Sequence, residues 1–233
     1  MKEQNLQVFT LVFRMIYTKS FSIIMCYTLE DSRNSYILNF ICSIILIYLA
    51  QSKKEYLVIG YFLLFVGQMQ LFDYLFWKYP PPSYINTLST KLGIVFNNIQ
   101  PIILLLLLHY YNVQLSSLSI VITLIYVLYG GIYTLDALLR INHTNTRNNI
   151  MYWEWQHLKG NRITYALFIL SFVCLSLNFN NMSLRILSIV SILFTLYIGN
   201  KQNIMDISTG RMWCYFASFV PLIFILHLFY YNE

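Results

Sequence analysis

Two glutamines and an aspartate interrupt an otherwise apolar stretch, GQMQLFDYLFW, at residues 67–77. Gln70, Asp73 and Trp77 follow the spacing i, i+3, i+7, which places them on one face of a helix. An acid inside an apolar helix is costly and is, by default, a sign of function. Because a carboxylate beside amides and an aromatic ring can bind a small cation or an amine, this face predicts a solute-binding site.

A second polar pair lies in the next apolar segment, which contains the sequence FNNIQP. Asn97 and Gln100 are three residues apart, and Pro101 lacks a backbone N–H, which frees a carbonyl one turn earlier. Since a short Pro-rich turn joins the two segments, we expect Asp73 to contact Gln100 or Asn97 directly or through one water. In the structural alternative these amides only hold helices together.

Other reactive side chains are predicted on the same side of the membrane. They are two thiols, a carboxylate and an imidazole: Cys26, Glu154, His157 and Cys214. A thiolate with acid–base partners can perform nucleophilic catalysis, and Cys26 and Cys214 would then lie close together. Trp213 completes the candidates for the solute site. No CxxC pair or zinc-ligand spacing occurs, so the sequence predicts no metal and assigns no cofactor.

The elements that position these residues follow from the composition. Hydrophobic residues make up 58% of the 233 positions and charged residues 10%, whereas soluble domains carry about a quarter charged residues. Apolar runs close to the roughly 20 residues of a membrane span recur along the chain. The predicted fold class is all-α, a polytopic membrane bundle of about seven transmembrane helices whose partner is the lipid bilayer.

Seven apolar runs give the predicted spans: 35–50, 56–77, 92–111, 115–134, 162–179, 183–199 and 212–231. Residues 35–233 would form one membrane domain. Residues 1–34 would form an interfacial segment, because a span there would place Arg14 or Lys19 near the middle of the bilayer at a cost of roughly 2.5–3.5 kcal/mol. Residues 1–24 look like an extension.

Lysine and arginine are unequally distributed over the predicted loops. Twelve of the fifteen fall on the side of the N-terminus, and three fall on the other side: Lys53, Lys54 and Arg185. The positive-inside rule then predicts a cytoplasmic N-terminus and a C-terminus that is outside or lumenal. An anionic leaflet accounts for the cationic loops, so no nucleic-acid partner is predicted.

Four short motifs, in this order, resemble an uncharacterised family of multi-pass membrane proteins. They are MC-Y-T at 25–28, MQLFDYLFW at 69–77, IQP at 99–101 and MWC at 212–214. Members look like short proteins with a Met-Cys-aromatic start, an MQL-x-E-aromatic-x-x-W helix, a QP helix and a closing WC helix. The resemblance implies that the pattern is carried by Cys26, Gln70, Asp73, Trp77, Gln100, Pro101, Trp213 and Cys214. It implies no activity, and Asp73 departs from it because the family has the longer Glu there.

Three functions fit these residues. The first is a transporter or channel for a small polar or cationic solute, with its site near the cytoplasmic ends of the helices. A weak echo between GQMQLFD at 67–73 and GNKQNIMD at 199–206 would give a three-one-three arrangement, of the kind found in transporters built from repeats.

The second function is a membrane-embedded enzyme whose inner-face site contains Cys26, Asp73, His157 and Cys214. The third is a non-catalytic membrane scaffold, in which Asp73 pairs with Lys78 or Arg211. The abundance of Tyr, Phe and Asn, with few Gly and Pro, indicates an AT-rich genome such as that of a protist or a virus of protists.

Overall fold

The computed structural model describes residues 28–147, 150–201 and 214–230. Within these ranges the chain is all-α apart from one pair of short antiparallel strands. The helices are α1 Leu29–Ala50, α2 Lys54–Val66, α3 Gln68–Lys78, α4 Tyr84–Tyr110, α5 Ser117–Arg140, α6 Asn161–Ser176, α7 Met182–Lys201 and α8 Val220–Tyr230. The strands β1 Asn145–Arg147 and β2 Ile150–Tyr152, and a 3-10 turn Glu154–His157, lie between α5 and α6.

Four helices of this bundle are long and apolar enough to cross a membrane: Leu29–Ala50, Lys54–Lys78, Tyr84–Tyr110 and Ser117–Arg140. The second of them consists of α2 and α3 together. α5 turns a stripe of large apolar side chains outward, where Leu128 and Ile132 are each 72% exposed. Such a surface is unfavourable in water and ordinary against lipid tails, which indicates a membrane environment.

The first helix begins earlier than the predicted first span. Thr28 is its N-cap, and the Thr28 Oγ1 accepts from the backbone N–H of Asp31 at 3.1 Å. Glu30 and Asp31 occupy the first turn, where acidic groups interact favourably with the helix dipole. α1 therefore extends over polar residues that hydropathy alone places outside the span.

α4 also starts earlier, at Tyr84 instead of the predicted residue 92. Its first two turns bury polar side chains, among them Asn86 and Thr90. Both bond to Thr144, in the segment that joins α5 to α6. The start of α4 is thus a polar contact with this segment.

α4 lies at the centre of the bundle, packed on α2, α3, α5 and α6, while α1 packs on α2, α3 and α8. α2 and α3 form one span, and successive spans run in opposite directions, so α1, α4 and α6 begin at the end of the bundle where α3 and α5 finish. The described parts of the segment 141–160, residues 141–147 and 150–160, contain both strands and lie at this end. We call it the strand-pair end.

α2 and α3 meet at Gly67, about halfway along their common span. A Cβ built on Gly67 would lie 2.0 Å from the Oδ1 atom of Asn39, so only glycine allows α1 to approach this closely. The Gln68 side-chain amide donates to the Leu64 carbonyl at 3.0 Å. A glycine and a side chain bonded to the backbone account for the interruption.

Candidate functional site

Asp73 is completely buried near the strand-pair end of α3. Its Oδ1 atom accepts a hydrogen bond of 2.9 Å from the indole Nε1 of Trp153, which is also completely buried. The sequence analysis expected an amide partner from α4. The structure instead brings an indole from the segment 141–160, which folds back into the bundle.

Hydrogen bonds to two helices hold this segment in place. Asn86 of α4 donates to the Thr144 carbonyl at 3.1 Å and accepts from the Thr144 backbone N–H at 2.9 Å. The Thr90 and Thr144 hydroxyls are 2.9 Å apart. From α5, the Tyr133 hydroxyl donates to the backbone carbonyl of Trp155. Trp153 is therefore positioned by α4 and α5 but bonds to α3.

A second tryptophan extends the aromatic wall beside Asp73. The rings of Trp153 and Trp155 stack with centroids 4.9 Å apart, and Phe76 lies 6.4 Å from Trp155. The Trp155 indole N–H is buried and has no hydrogen-bond partner among the described residues. The site thus combines a carboxyl group with stacked indoles and a further buried donor.

Gln70, one turn before Asp73, is completely buried. Its Oε1 atom accepts from the Ser35 hydroxyl of α1 at 2.9 Å. Its Nε2 atom has no partner within the described part of the chain. One half of this amide therefore joins α1 to α3, and the other half is an unused donor.

Gln100 is also completely buried, and neither atom of its amide has a nitrogen or oxygen partner in the ranges described. The buried thiol of Cys214 lies within hydrogen-bonding reach of this amide, and Asp73 and Tyr165 are near the same thiol. Asp73 and Gln100 are therefore not joined by a hydrogen bond. A contact of Asp73 with Gln100 through one water, or with Asn97, stays a prediction.

Phe96 fixes the depth of Gln100 in the bundle. Its ring packs on Phe65 and Phe72, with centroids 4.9 and 5.2 Å apart. Since α4 runs antiparallel to α2 and α3, Gln100 lies beyond Phe96 towards Gly67.

In the turn that Pro101 interrupts, the Tyr126 hydroxyl donates to the Asn98 carbonyl at 2.5 Å.

α1 adds a polar face to this site. Ser32, Ser35, Asn39 and Ser43 are each at most 3% exposed and repeat at helical spacing. The Ser32 and Ser43 hydroxyls and the Asn39 Nδ2 have no partner among the residues that the structure describes. We use the name "polar row" for these four side chains together with Gln70, Asp73 and Gln100.

The other candidates from the sequence lie in different environments. Asn97 is buried, and Trp77 is half-buried with an indole N–H that lacks a partner in the described chain. Glu154, in the 3-10 turn, accepts from the Asn145 side chain of β1 at 2.9 Å.

His157 is exposed and stacks on Tyr152 with centroids 4.2 Å apart. Lys78 lies over the rings of Tyr74 and Tyr79. Cys26, Trp213 and Arg211 are outside the described residues, so the proposed approach of Cys26 to Cys214 stays a prediction.

Several residues of the site were not singled out as candidates from the sequence. Tryptophan is common at membrane interfaces, so the sequence alone does not single out Trp153 and Trp155. Ser35 and Asn39 carried a usable signal, because polar residues three or four apart in an apolar helix mark a buried face. No such local signal exists for Tyr165.

No protein-family model, curated protein or solved structure matches this chain. The resemblance described above therefore rests on its four motifs alone. Among the described residues, no group of three His, Cys, Asp or Glu side chains is arranged to hold a metal ion.

Proposed function

We propose that this protein is a transporter or channel for a small polar or cationic solute, and that the polar row binds the solute. The observation that carries the proposal is a set of fully buried amide and hydroxyl groups with no partners in the described chain. They are Gln70 Nε2, Asn39 Nδ2, and the Ser32 and Ser43 hydroxyls, to which Gln100 adds an amide whose described neighbour is the Cys214 thiol. Inside a bilayer each such group is unfavourable, and a bound solute would offset this.

The chemistry of the polar row supports a small cation or a polar molecule that carries hydrogen-bond donors. Asp73 supplies a carboxyl group, and the amide oxygen of Gln100 can replace part of a hydration shell. The amide nitrogens of Gln70 and Asn39 can bind the acceptor atoms of a polar solute. The groups on α1 and α3 lie one after another between the strand-pair end and Gly67.

The depth of Asn39 in the bundle also supports transport. Transporters place their binding sites near the middle of the membrane. Here Asn39 lies against Gly67, about halfway along the span Lys54–Lys78. A solute that moves along the polar row would reach this point from Asp73.

The bond between Asp73 and Trp153 suggests how binding is coupled to opening. The segment 141–160 covers the row at the strand-pair end and is joined to α3 through this bond. A cation at Asp73 would compete with the indole for the carboxyl group. Binding would then weaken the contact between α3 and the segment, and the entrance would open.

The proposed topology has seven spans with a cytoplasmic N-terminus, so the strand-pair end faces the cytoplasm. Support comes from the cation distribution, since the loops at the opposite end carry only Lys53, Lys54 and Arg185 among the fifteen cations. The helices α6, α7 and α8 would supply the three spans beyond the four long helices.

An inner-face enzyme is the second candidate, because Cys214 and Asp73 lie in the same buried cluster. The acid–base partners are less favourable. His157 is exposed and stacks on Tyr152, and Glu154 is bonded to Asn145 of β1. Among the described residues of the segment 141–160, no imidazole lies beside the Cys214 thiol, so transport is the better-supported function.

Ligand-dependent stabilisation tests the binding site. The purified protein is heated in the chloride salts of potassium, ammonium and ethylammonium, and its unfolding temperature is followed. A bound ion at about 100 times its Kd stabilises the fold by roughly 2.7 kcal/mol. Asp73→Asn should remove the shift, whereas Asp136→Asn should retain it, since Asp136 is an exposed acid paired with Arg140. An equal shift in all three proteins would contradict the assignment.

A further inference from the structure

A cleft of about 60 Å³ lies between α7 and the helices α2, α4, α6 and α8. Its walls are almost entirely apolar and include Phe62, Leu104, Phe172 and Phe224. The space exists because α7 presents small side chains to it. These are Ser188, Ser191 and Thr195.

One hydroxyl of the cleft is an unused hydrogen-bond donor. Ser188 is 7% exposed, and its Oγ atom has no partner within the described residues. Thr195 differs, because its hydroxyl donates to the Ser191 carbonyl at 2.8 Å. A ligand that satisfies the Ser188 hydroxyl needs an acceptor such as a carbonyl oxygen, attached to a body apolar enough for the remaining walls.

The cationic side chain of Arg185 lies one helical turn before Ser188, nearer the end of the bundle. Arg185 and Ser188 are three residues apart and share a face of α7. The Arg185 Nε and Nη2 atoms donate to the Phe179 carbonyl at 3.0 and 2.8 Å, and Phe179 lines the cleft. These bonds hold the guanidinium against the backbone of Phe179, whose residue forms part of the cleft wall, and a guanidinium has five N–H donors in all.

We propose that this cleft holds a short part of one acyl chain of a bilayer phospholipid. The order of groups along α7 matches the order along such a lipid. The chain would occupy the apolar walls, its ester carbonyl would accept from Ser188, and its phosphate would lie at Arg185, a residue type suited to phosphate. The site lies apart from the polar row and does not depend on a transport function.

Photolabelling tests this site directly. The full chain is reconstituted into phosphatidylglycerol vesicles that contain a phosphatidylglycerol with a diazirine halfway along one acyl chain, and labelled peptides are identified by mass spectrometry. We expect label on Phe62, Leu104 or Ile192 of the cleft. Label confined to outward-facing residues of α7, such as Val190 and Leu193, would overturn the proposal.

A matched pair of substitutions on α7 separates the cleft from the general lipid surface. Ser191→Leu fills the cleft and should lower the labelling of cleft residues about tenfold. This is the loss of affinity expected when two methylenes of the acyl chain no longer fit. Val190→Leu adds bulk on the adjacent, 53% exposed position and should leave labelling unchanged. Equal labelling in both variants contradicts an acyl chain in the cleft.

Two further substitutions, tested with different diazirine probes, identify the lipid. Arg185→Gln should reduce labelling by the phospholipid probe and leave labelling by a diazirine fatty alcohol unchanged. Ser188→Ala changes only one atom, and it should lower cleft labelling even if Ser191→Leu does not fold. If a diazirine fatty acid labels the cleft more strongly than the phospholipid does, the occupant is a free fatty acid and the phospholipid assignment is wrong.

Discussion

The indole N–H of Trp153 donates to the Asp73 carboxyl group over 2.9 Å and joins two completely buried residues that are 80 positions apart. This bond fastens the segment 141–160 to α3, while Asn86 and Tyr133 hold the same segment on α4 and α5. The acid of the apolar stretch 67–77 therefore belongs to a site assembled from several helices.

Removing the indole donor should destabilise the protein. Trp153→Phe keeps an aromatic ring but leaves the Asp73 Oδ1 without this hydrogen bond, so we expect a loss of about 1–3 kcal/mol. Trp155→Phe is the matched control, because Trp155 is equally buried but its N–H has no partner in the described chain. Chemical denaturation in detergent measures both. A loss as large in Trp155→Phe would show that ring volume, and not the bond, is responsible.

Gln100 should show a conflict between stability and function. Gln100→Leu removes two buried polar atoms without nitrogen or oxygen partners in the described ranges and should stabilise the fold by about 1–3 kcal/mol. It should also abolish solute-dependent stabilisation, since the amide would no longer be available to the solute.

Asn86→Leu provides the contrast to Gln100→Leu, because the Asn86 amide makes two bonds to the Thr144 backbone. That variant should be destabilised by about 1–3 kcal/mol. Thermal unfolding measures the stability of both variants. If Gln100→Leu is less stable than the native protein, the Gln100 amide has a structural role.

Gly67 should not tolerate a side chain. Gly67→Ala places a Cβ 2.0 Å from the Asn39 Oδ1 and should cost about 1–3 kcal/mol, although alanine is intrinsically the better helix former. Gly131→Ala meets nothing within 4 Å and should be neutral or stabilising. In the double variant Asn39→Ala/Gly67→Ala the cost should largely disappear. Additive effects in this cycle would contradict the close contact.

The two ends of the bundle should face opposite sides of the membrane. In a variant without native cysteines, Lys53→Cys should react with an impermeant maleimide from outside the cell. Lys159→Cys, in the segment 141–160, should react only after the membrane is permeabilised. Equal reaction of both positions in intact cells would refute the proposed topology, which the cation distribution predicts.

The positions of the helices could be predicted well from the sequence because bilayer thickness imposes one length and one polarity on them. Each predicted span overlaps a helix of the described ranges, although the last span was predicted from residue 212 and α8 begins at Val220. The start of α1 was missed, although Thr28 followed by Asp31 is a recognisable cap. Hydropathy does not register such a signal, since it counts polarity and not hydrogen bonds.

The candidate site was predictable only in part. Asp73, Gln70 and Gln100 were candidates because polar groups in apolar helices are conspicuous, and all three are completely buried. The partner of Asp73 was not, because Trp153 comes from a connecting segment whose path depends on contacts with Asn86 and Tyr133. Local spacing contains no information about such contacts, whereas the polar face of α1 could have been found by counting helical spacing.

Flux through proteoliposomes tests the central claim most directly. Vesicles loaded with potassium, ammonium or ethylammonium chloride are diluted into medium without that cation, and efflux is compared for the native protein, Asp73→Asn and Asp136→Asn. We expect efflux from vesicles that contain the native protein or Asp136→Asn. Vesicles that contain correctly folded Asp73→Asn should release the cation only as fast as loaded vesicles without protein. Normal flux in Asp73→Asn, or cation-independent leak that is equal in all three proteins, would contradict the claim.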